Sequence, residues 1–475
     1  MEIYKFCFNE SNSPKYIQIY NHIKKMAEEE KLKKNEKLPP IRTLSNLLEV
    51  NNSTVVKAYE LLEKEGYIYK IVGSGSYISP LKKVENEIHD IEEETIRLDL
   101  GNPSRELFPV EDFKNALLMA MEEEGPAIFD YDEGLGFPPL RKKLCSCLKE
   151  YSKIDTTPDR IQIISGAQQG IDIIGKSILG YGDVVFVEEP TYNGALDSFK
   201  SRGIKVIGIP MLNDGIDLGI MKVKLEKIRP KMFYTMPNFQ NPTGISYSKY
   251  KKEAILKLAK EYDFYILEDD YLSDFSFNSD DTYALRHYDI EDRVIYLKSF
   301  SKQLMPGLRI GFLDIPYNVR NRIMMAKYST DIYTSGLIQR SLYYYLEYFP
   351  WKKNLERLEK AYKIRFDKVA NFLENNLGSL VTYKKASGGI NFFIELPREY
   401  SSSDFREFML KKGVSIMLGN SFYENPVEER TFRISIASVT EEELELSLRL
   451  LKEGLEEFIE DERNKLGIKN ISMYY

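Results

Sequence analysis

A chain of 475 residues with 43% hydrophobic and 29% charged side chains is too long for one core and too apolar to stay disordered, so two or more domains are expected. Its net charge of −7 excludes wholesale coating of nucleic acid, but the sign changes along the chain: residues 1–80 carry 12 Lys and Arg against 10 Asp and Glu, a net +2, and the remainder 54 against 63, a net −9. No apolar run reaches membrane-spanning length and the N-terminus lacks a basic and then apolar leader, which predicts a cytoplasmic protein with no membrane partner.

Apolar residues at 16, 19, 20, 23 and 26 predict a first helix within residues 14–32. After Pro39 and Pro40, "IRTLSNLLEV" and "TVVKAYELLEKEGY" form two more helices around the polar turn "NNS", with Gly66 ending the second and Tyr59 in the core. "YIYKIVGSGSYIS" alternates like a hairpin with its tip at Gly73-Ser74-Gly75. Residues 81–96, with six acidic and two basic side chains, read as a linker. Cys145 and Cys147 lie in an expected helix without a second ligand pair, and with Cys7 they read as structural thiols. His22, His89 and His287 are remote from one another in sequence, which gives little support to a metal site or a hydrolase relay.

Residues 13–79 resemble the winged helix-turn-helix of the GntR regulator family in "YIQIYNHI", "LPPIRTLSNLL", "TVVKAYELLEKEGYI" and "GSGSYI". The resemblance implies that residues 1–80 form a reader of double-stranded DNA, with Arg42, Thr54, Lys57 and Gly75 of the wing near phosphates or bases. Read singly, Arg42 and Lys57 are solvated charges. The family's Ser-Arg pair before the helix threonine is here Asn51-Asn52-Ser53, so one expected cation is missing.

From residue 97 strand-length apolar runs alternate with helical stretches: "RIQIIS", "DVVFVEEP", "KVIGIP", "KMFYTMP", "FYILEDD", "RVIYLKS" and "LRIGFLDI". The alternation predicts an α/β unit over 97–475 with a mostly parallel sheet covered on both faces, and ligands collect at the carboxyl ends of such strands. At those ends stand the turn Gly166-Ala167-Gln168-Gln169-Gly170, then Thr191-Tyr192, Asn241-Pro242-Thr243-Gly244, Asp269-Asp270-Tyr271, and Lys302 between Ser299, Ser301 and Arg309. The small-residue turn opens a helix whose free N–H groups suit a phosphate. Each piece alone also has a plain structural reading: a tight turn, a packed ring, good turn chemistry. A buried acid closing a hydrophobic strand is harder to explain so, because it needs a partner.

As an ordered set, "SGAQQ", "EEPTY", "NPTG", "EDDY" and "SFSKQLMPGLRIG" resemble the fold-type I, aspartate-aminotransferase-like enzymes across residues 97–460. The resemblance implies pyridoxal 5′-phosphate as cofactor, with Lys302 forming the imine to its aldehyde. Ser299, Ser301, Arg309 and the Ala167-Gln168 turn would hold the phosphate and Tyr192 would stack on the ring. Asn241 and Tyr271 would bond the ring oxygen, and Asp269 would keep the pyridine nitrogen protonated. "YDEGLGFPPLR" implies a homodimer in which Tyr131 reaches the partner's phosphate. Arg433 in "TFRISIA" would grip a substrate carboxylate, although alone it reads as an edge-strand charge, and Gly101 and Asn102 in "LDLGNPSRELFP" would line the substrate space.

A GntR-like reader followed by such a unit is the arrangement of the MocR subfamily of transcription regulators, which the whole chain resembles. That implies a sensor of an amino acid, an amine or pyridoxal 5′-phosphate itself, acting through an aldimine. The alternative is a working aminotransferase with an accessory N-terminal domain.

Overall fold

The computed structural model describes residues 4–6, 8, 14–28, 31–32, 36–64, 67–71, 75–78, 95–275, 283–425 and 429–465. Cys7, Gly66, the wing tip Gly73-Ser74, His89 and the linker as far as residue 94 lie outside them. The chain divides into two compact units, residues 1–92 and 93–475.

In the first unit, Ile19, Tyr20, Ile23 and Met26 fall on one face of helix α1 (Lys15–Glu28) because they are spaced three and four apart. They pack on Leu44 and Leu48 of α2 (Ile41–Leu48) and Val55, Ala58, Tyr59 and Leu62 of α3 (Asn52–Lys64). The turn between α2 and α3 closes with Glu49 in the left-handed region at φ 51° and its N–H on the carbonyls of Ser45 and Asn46. Ser45 then donates its hydroxyl proton to Asn52 Oδ1, so α3 starts two residues earlier than the threonine suggests. Strands β1 (Ile68–Ile71) and β2 (Gly75–Ile78) pair antiparallel as the wing, with Ile68 opposite Ile78. Tyr59 donates its buried hydroxyl to the Pro39 carbonyl at 2.8 Å. Tyr59→Phe leaves that carbonyl unpaired and is expected to cost the head about 1 kcal/mol, measurable by urea unfolding followed by circular dichroism.

The second unit begins earlier than its sequence suggests. Ile96, placed in the linker by charge, belongs with Arg97 to β3 (Ile96–Arg97), which runs parallel to Val414–Ser415. Among the described residues the large sheet has eight strands. In chain order they are β4 (Ile161–Ile164), β5 (Val184–Glu189), β6 (Lys205–Leu212), β7 (Gly215–Ile216), β8 (Met232–Thr235), β9 (Tyr265–Asp270), β10 (Val294–Ser299) and β11 (Gly311–Asp314). Their spatial order is β4-β11-β10-β9-β8-β5-β6-β7. The central run from β10 to β6 is parallel, whereas β11 is antiparallel to both its neighbours. The strands that carry the motifs therefore end along one edge, and β10 and β11 form a hairpin that presents residues 300–310 there.

A second sheet, of order β12-β13-β16-β15, is built from β12 (Thr382–Tyr383), β13 (Asn391–Glu395), β15 (Met417–Leu418) and β16 (Thr431–Ser435), with β14 (Val414–Ser415) pairing instead with β3. Arg433 lies on β16, which has a neighbour on each side, so the edge-strand reading of this residue is corrected. No helix of the described residues is long and apolar enough to cross a membrane, and no His, Cys, Asp and Glu side chains among them gather as a metal site. Cys145 and Cys147 are free, and burial, the largest cause, pushes both thiols above the ordinary cysteine range.

Candidate functional site

The turn that opens α6 (Ala167–Ile178) follows β4 with Gly166 at φ +89° and no side-chain cap on the helix. Its first N–H groups are thus left for another acceptor. A Cβ on Gly166 would stand 2.8 Å from Arg309 Nη2, so only glycine admits the guanidinium, which donates to the Ser165 carbonyl at 3.2 Å. Ser299 ends β10 and donates its hydroxyl to Ser301 Oγ at 2.9 Å, while the Ser301 amide donates back to Ser299 Oγ at 3.2 Å. Gln168 holds α6 to α7 (Asn193–Ser201) by donating to the Gly194 carbonyl at 2.8 Å, and accepts from the Tyr192 hydroxyl at 3.3 Å. Arginine, small hydroxyls and bare helix N–H groups make a cradle suited to a phosphate dianion.

Lys302 follows in the turn after β10, half-buried, with its ammonium donating to Asn102 Oδ1 at 3.3 Å. A Cβ on Gly101 would lie 3.5 Å from Lys302 Nζ, so Gly101 and Asn102 both stand beside the amine. Desolvation and then the neighbouring Arg433 charge push the amine down to about 8, against a smaller opposing pull from Asp269. A lysine so shifted has a neutral, nucleophilic fraction at neutral pH.

Asp269, on β9, is buried, and the Tyr234 hydroxyl donates to its Oδ2 at 2.8 Å. Oδ1 is buried without any hydrogen-bond partner. Burial, the largest cause, raises the carboxyl to about 7. A protonated ring nitrogen would supply Oδ1 with the donor it lacks and favour the ionised carboxylate, so the residues fit a pyridinium cofactor. In the cofactor-free protein the folded chain holds a proton that the unfolded chain releases near pH 4, and above pH 7 the dry carboxylate is a net cost. Asp269→Asn is therefore expected to stabilise the cofactor-free chain at pH 8 by about 2–4 kcal/mol in urea unfolding, an advantage that shrinks as pH falls from 7 towards 4.

Tyr271 donates to the Phe239 carbonyl and accepts from Asn391 Nδ2 at 3.3 Å. Asn241 Oδ1 accepts from Arg433 Nη1 at 3.0 Å, and Arg433 Nη2 donates to the Asp99 carbonyl, while Nε has no partner. Burial, its first cause, lowers Arg433 to about 10. Tyr131 does not join this group within the chain: it is 76% exposed and meets Tyr333 edge-on at 6.0 Å.

Several contributors escaped the sequence reading. Tyr234 steadies Asp269, and Glu188, fully buried in "EEPTY", accepts from Thr235 at 2.6 Å, Tyr247 at 2.8 Å, the Met236 amide at 2.9 Å and Gln240 at 3.0 Å. Gln240 in turn accepts from Thr243, so a carboxyl group on β5 shapes the turn bearing Asn241. Asn391 and Ser435 stand opposite each other on β13 and β16, each with an unpartnered buried oxygen. Ser435 lies two residues beyond Arg433 and hence on the same face, a period-two signal that was available.

In the head, Arg42, Lys57 and Gly75 are exposed and Thr54 is half-buried. The Lys57 ammonium lies 5.9 Å from the Tyr16 ring centre.

A mostly parallel sheet with a desolvated lysine, a buried aspartate and an arginine cradle at its strand ends defines an aminotransferase-like unit. The chain belongs to the family Aminotransferase class I and II, which residues 93–451 match, and its residues 15–78 match the bacterial regulatory proteins of the gntR family. It is 30% identical to the uncharacterized HTH-type transcriptional regulator YdfD of Bacillus subtilis over 91% of this chain and 94% of that one. It is 23% identical to the probable rhizopine catabolism regulatory protein MocR of Rhizobium meliloti, over 88% and 90%. Among solved structures it is similar to the kynurenine aminotransferase of Pyrococcus horikoshii, in complex with PMP, KYN as substrates and KYA as products. The TM-score is 0.73 at 32% identity, covering 78% of this chain and 92% of that one.

Proposed function

We propose that the chain is a DNA-binding transcriptional regulator whose large unit holds pyridoxal 5′-phosphate at Lys302 and senses an amino acid, an amine or the cofactor itself. The observation that carries this reading is the buried Asp269 Oδ1 without a hydrogen-bond partner, whose carboxyl acts on the desolvated Lys302 amine, in a chain that also carries a winged helix-turn-helix. When bound, the cofactor supplies an aldehyde that condenses with primary amines and a ring that draws electrons from the attached atoms.

The chain's own groups orient that chemistry. Arg309, Ser299, Ser301 and the α6 amides of Ala167 and Gln168 hold the phosphate, and Tyr192 covers one ring face. Asp269 keeps the ring proton in place, Asn241 and Tyr271 bond the ring oxygen, and Tyr131 reaches the partner's phosphate in a homodimer. Arg433 receives a carboxylate beside Gly101 and Asn102. In residues 1–80, Arg42 and Lys57 meet the DNA backbone, and Thr54 and Gly75 fix the approach of α3 and the wing. The ligand must favour one arrangement of the protein over another to change operator affinity.

Titrating the purified dimer with amino acids and amines in the presence of pyridoxal 5′-phosphate tests this. Spectral shifts that accompany a change in operator affinity without keto-acid formation support the regulator. Steady keto-acid production favours the second reading, an aminotransferase, for which the complete Lys302, Asp269 and Arg433 set speaks.

A further inference from the structure

Strand alternation sends Asp269 to one face of the sheet and Asp270 to the other, and the β9–β10 register sets Lys298 beside Asp270 on that reverse face. There the buried Lys298 ammonium lies 3.3 Å from Asp270 Oδ2, 2.9 Å from Asp274 Oδ2 and 3.3 Å from the Tyr296 hydroxyl. Tyr296 and Ser273 also donate to Asp270. Asp274 accepts from Nε2 of Gln303, the residue after Lys302 and itself fully buried, whose carbonyl accepts from Asn354 Nδ2 at 3.0 Å. Three members are chain neighbours of site residues: Lys298 precedes Ser299, Asp270 separates Asp269 from Tyr271, and Gln303 follows Lys302; Asp274 bonds two of these three, Lys298 and Gln303.

A buried ion cluster adds little net stability over apolar side chains of the same volume, because the desolvation of its charges offsets their attraction. Its value here is geometric. Lys298 and Asp270 pin the carboxyl ends of β9 and β10 to each other, and Asp274 with Gln303 carries that constraint past the strand end into the turn. We infer that Lys298, Asp270, Asp274 and Gln303 form a tether on the reverse face of the sheet that positions the Lys302 amine against Asp269. The inference rests on the proposed role of Lys302 and adds four positioning residues to it. The charges that act on the Lys302 amine are those of Arg433 and Asp269, so a change in its titration after cutting the tether reports displacement rather than a lost charge.

The test compares Gln303→Leu, which cuts the last link and leaves the ions in place, with Asp274→Asn, which keeps an acceptor for Gln303. In the cofactor-free full chain, the pH dependence of competitive acetylation by acetic anhydride is read at the Lys302 peptide by mass spectrometry. Retention of pyridoxal 5′-phosphate is read separately from its visible band. In Gln303→Leu the Lys302 midpoint is expected to rise by about one pH unit towards ordinary lysine and retention to weaken about tenfold, while Asp274→Asn stays with the native chain. The tether is overturned if folded Gln303→Leu titrates and retains cofactor as the native chain does, or if Asp274→Asn shifts as far as Gln303→Leu. It is equally overturned if neither variant folds, which makes the cluster a stability element alone. A native chain that gains no band with pyridoxal 5′-phosphate sinks the cofactor reading, and the acetylation series still decides the tether.

Discussion

Lys302→Ala is expected to abolish the visible band that the native chain gains with pyridoxal 5′-phosphate. After borohydride reduction, the peptide spanning residue 302 should carry the added mass in the native protein and none in the variant. The loss should be complete, because the nearby Lys298 cannot substitute. It lies on the reverse face of the sheet, and although burial opposes its charge, Asp270 and Asp274 together hold it above the ordinary lysine range. A phosphate cradle of Arg309 and bare helix amides remains in the variant, so noncovalent retention should persist while the band disappears. Stability gives an independent check. The folded chain depresses the Lys302 amine to about 8 while the unfolded chain keeps the ordinary value near 10.5. Between those values the unfolded chain binds the extra proton, so native stability rises with pH across that window, and below it the depressed amine is a full cost. Cofactor-free Lys302→Ala should accordingly be no less stable than the native chain at pH 7, with its relative advantage fading from pH 8 to 10.5.

Asp314→Ala is expected to produce the largest loss of stability, on the order of 3–5 kcal/mol. Asp314 is fully buried on β11 and accepts from Arg160 Nε at 3.1 Å, Arg286 Nε at 2.8 Å and Thr156 Oγ1 at 2.7 Å. Truncation leaves Arg286 a buried cation stripped of this partner, whereas Arg160 keeps Asp292. The chain has one tryptophan, Trp351, and it packs in the core of the second unit, so urea unfolding followed by its emission reports on that unit alone. A loss under 1 kcal/mol would show that the two arginines find water or other acceptors when the carboxylate is gone. Because β11 pairs with β10, the same variant should also weaken cofactor retention through the hairpin that bears Lys302 and Arg309.

Short motifs in and just after the strands made several candidate residues legible, because each sets a chemically unusual side chain in or beside an apolar run. Lys302, Asp269, Asn241 and Arg433 come from four separate motifs; Arg433 bonds Asn241, and the charges of Arg433 and Asp269 act on Lys302. What stayed hidden depends on pairings between distant segments. Tyr234 reads as one more apolar residue of β8, and only the neighbouring position of β9 reveals that its hydroxyl serves Asp269. Glu188 stands in a quoted motif, yet its role needs Thr235, Gln240 and Tyr247, about 50 residues onward, to be folded over it. Ile96 reads as linker because an acidic run ends beside it, and its strand partner Val414 lies more than 300 residues away. In the head the helix spacing was plain, whereas the earlier start of α3 follows from the Ser45 to Asn52 bond, which no periodicity encodes.

The amine at residue 302 sits in the turn that follows β10 of the large sheet, and the guanidinium at residue 433 on an interior strand of the small one. On the proposed roles of Lys302 and Arg433, a molecule that offers both an amino group and a carboxylate would be a two-ended staple, gripping each sheet by a different chemistry. One that offers only the amino group is a single hook, which adds nothing to the bonds that already join the sheets, Arg433 to Asn241 and Asn391 to Tyr271. Amino acids and simple amines thus load the scaffold differently even where they bind equally well, and that distinction is one the protein could transmit.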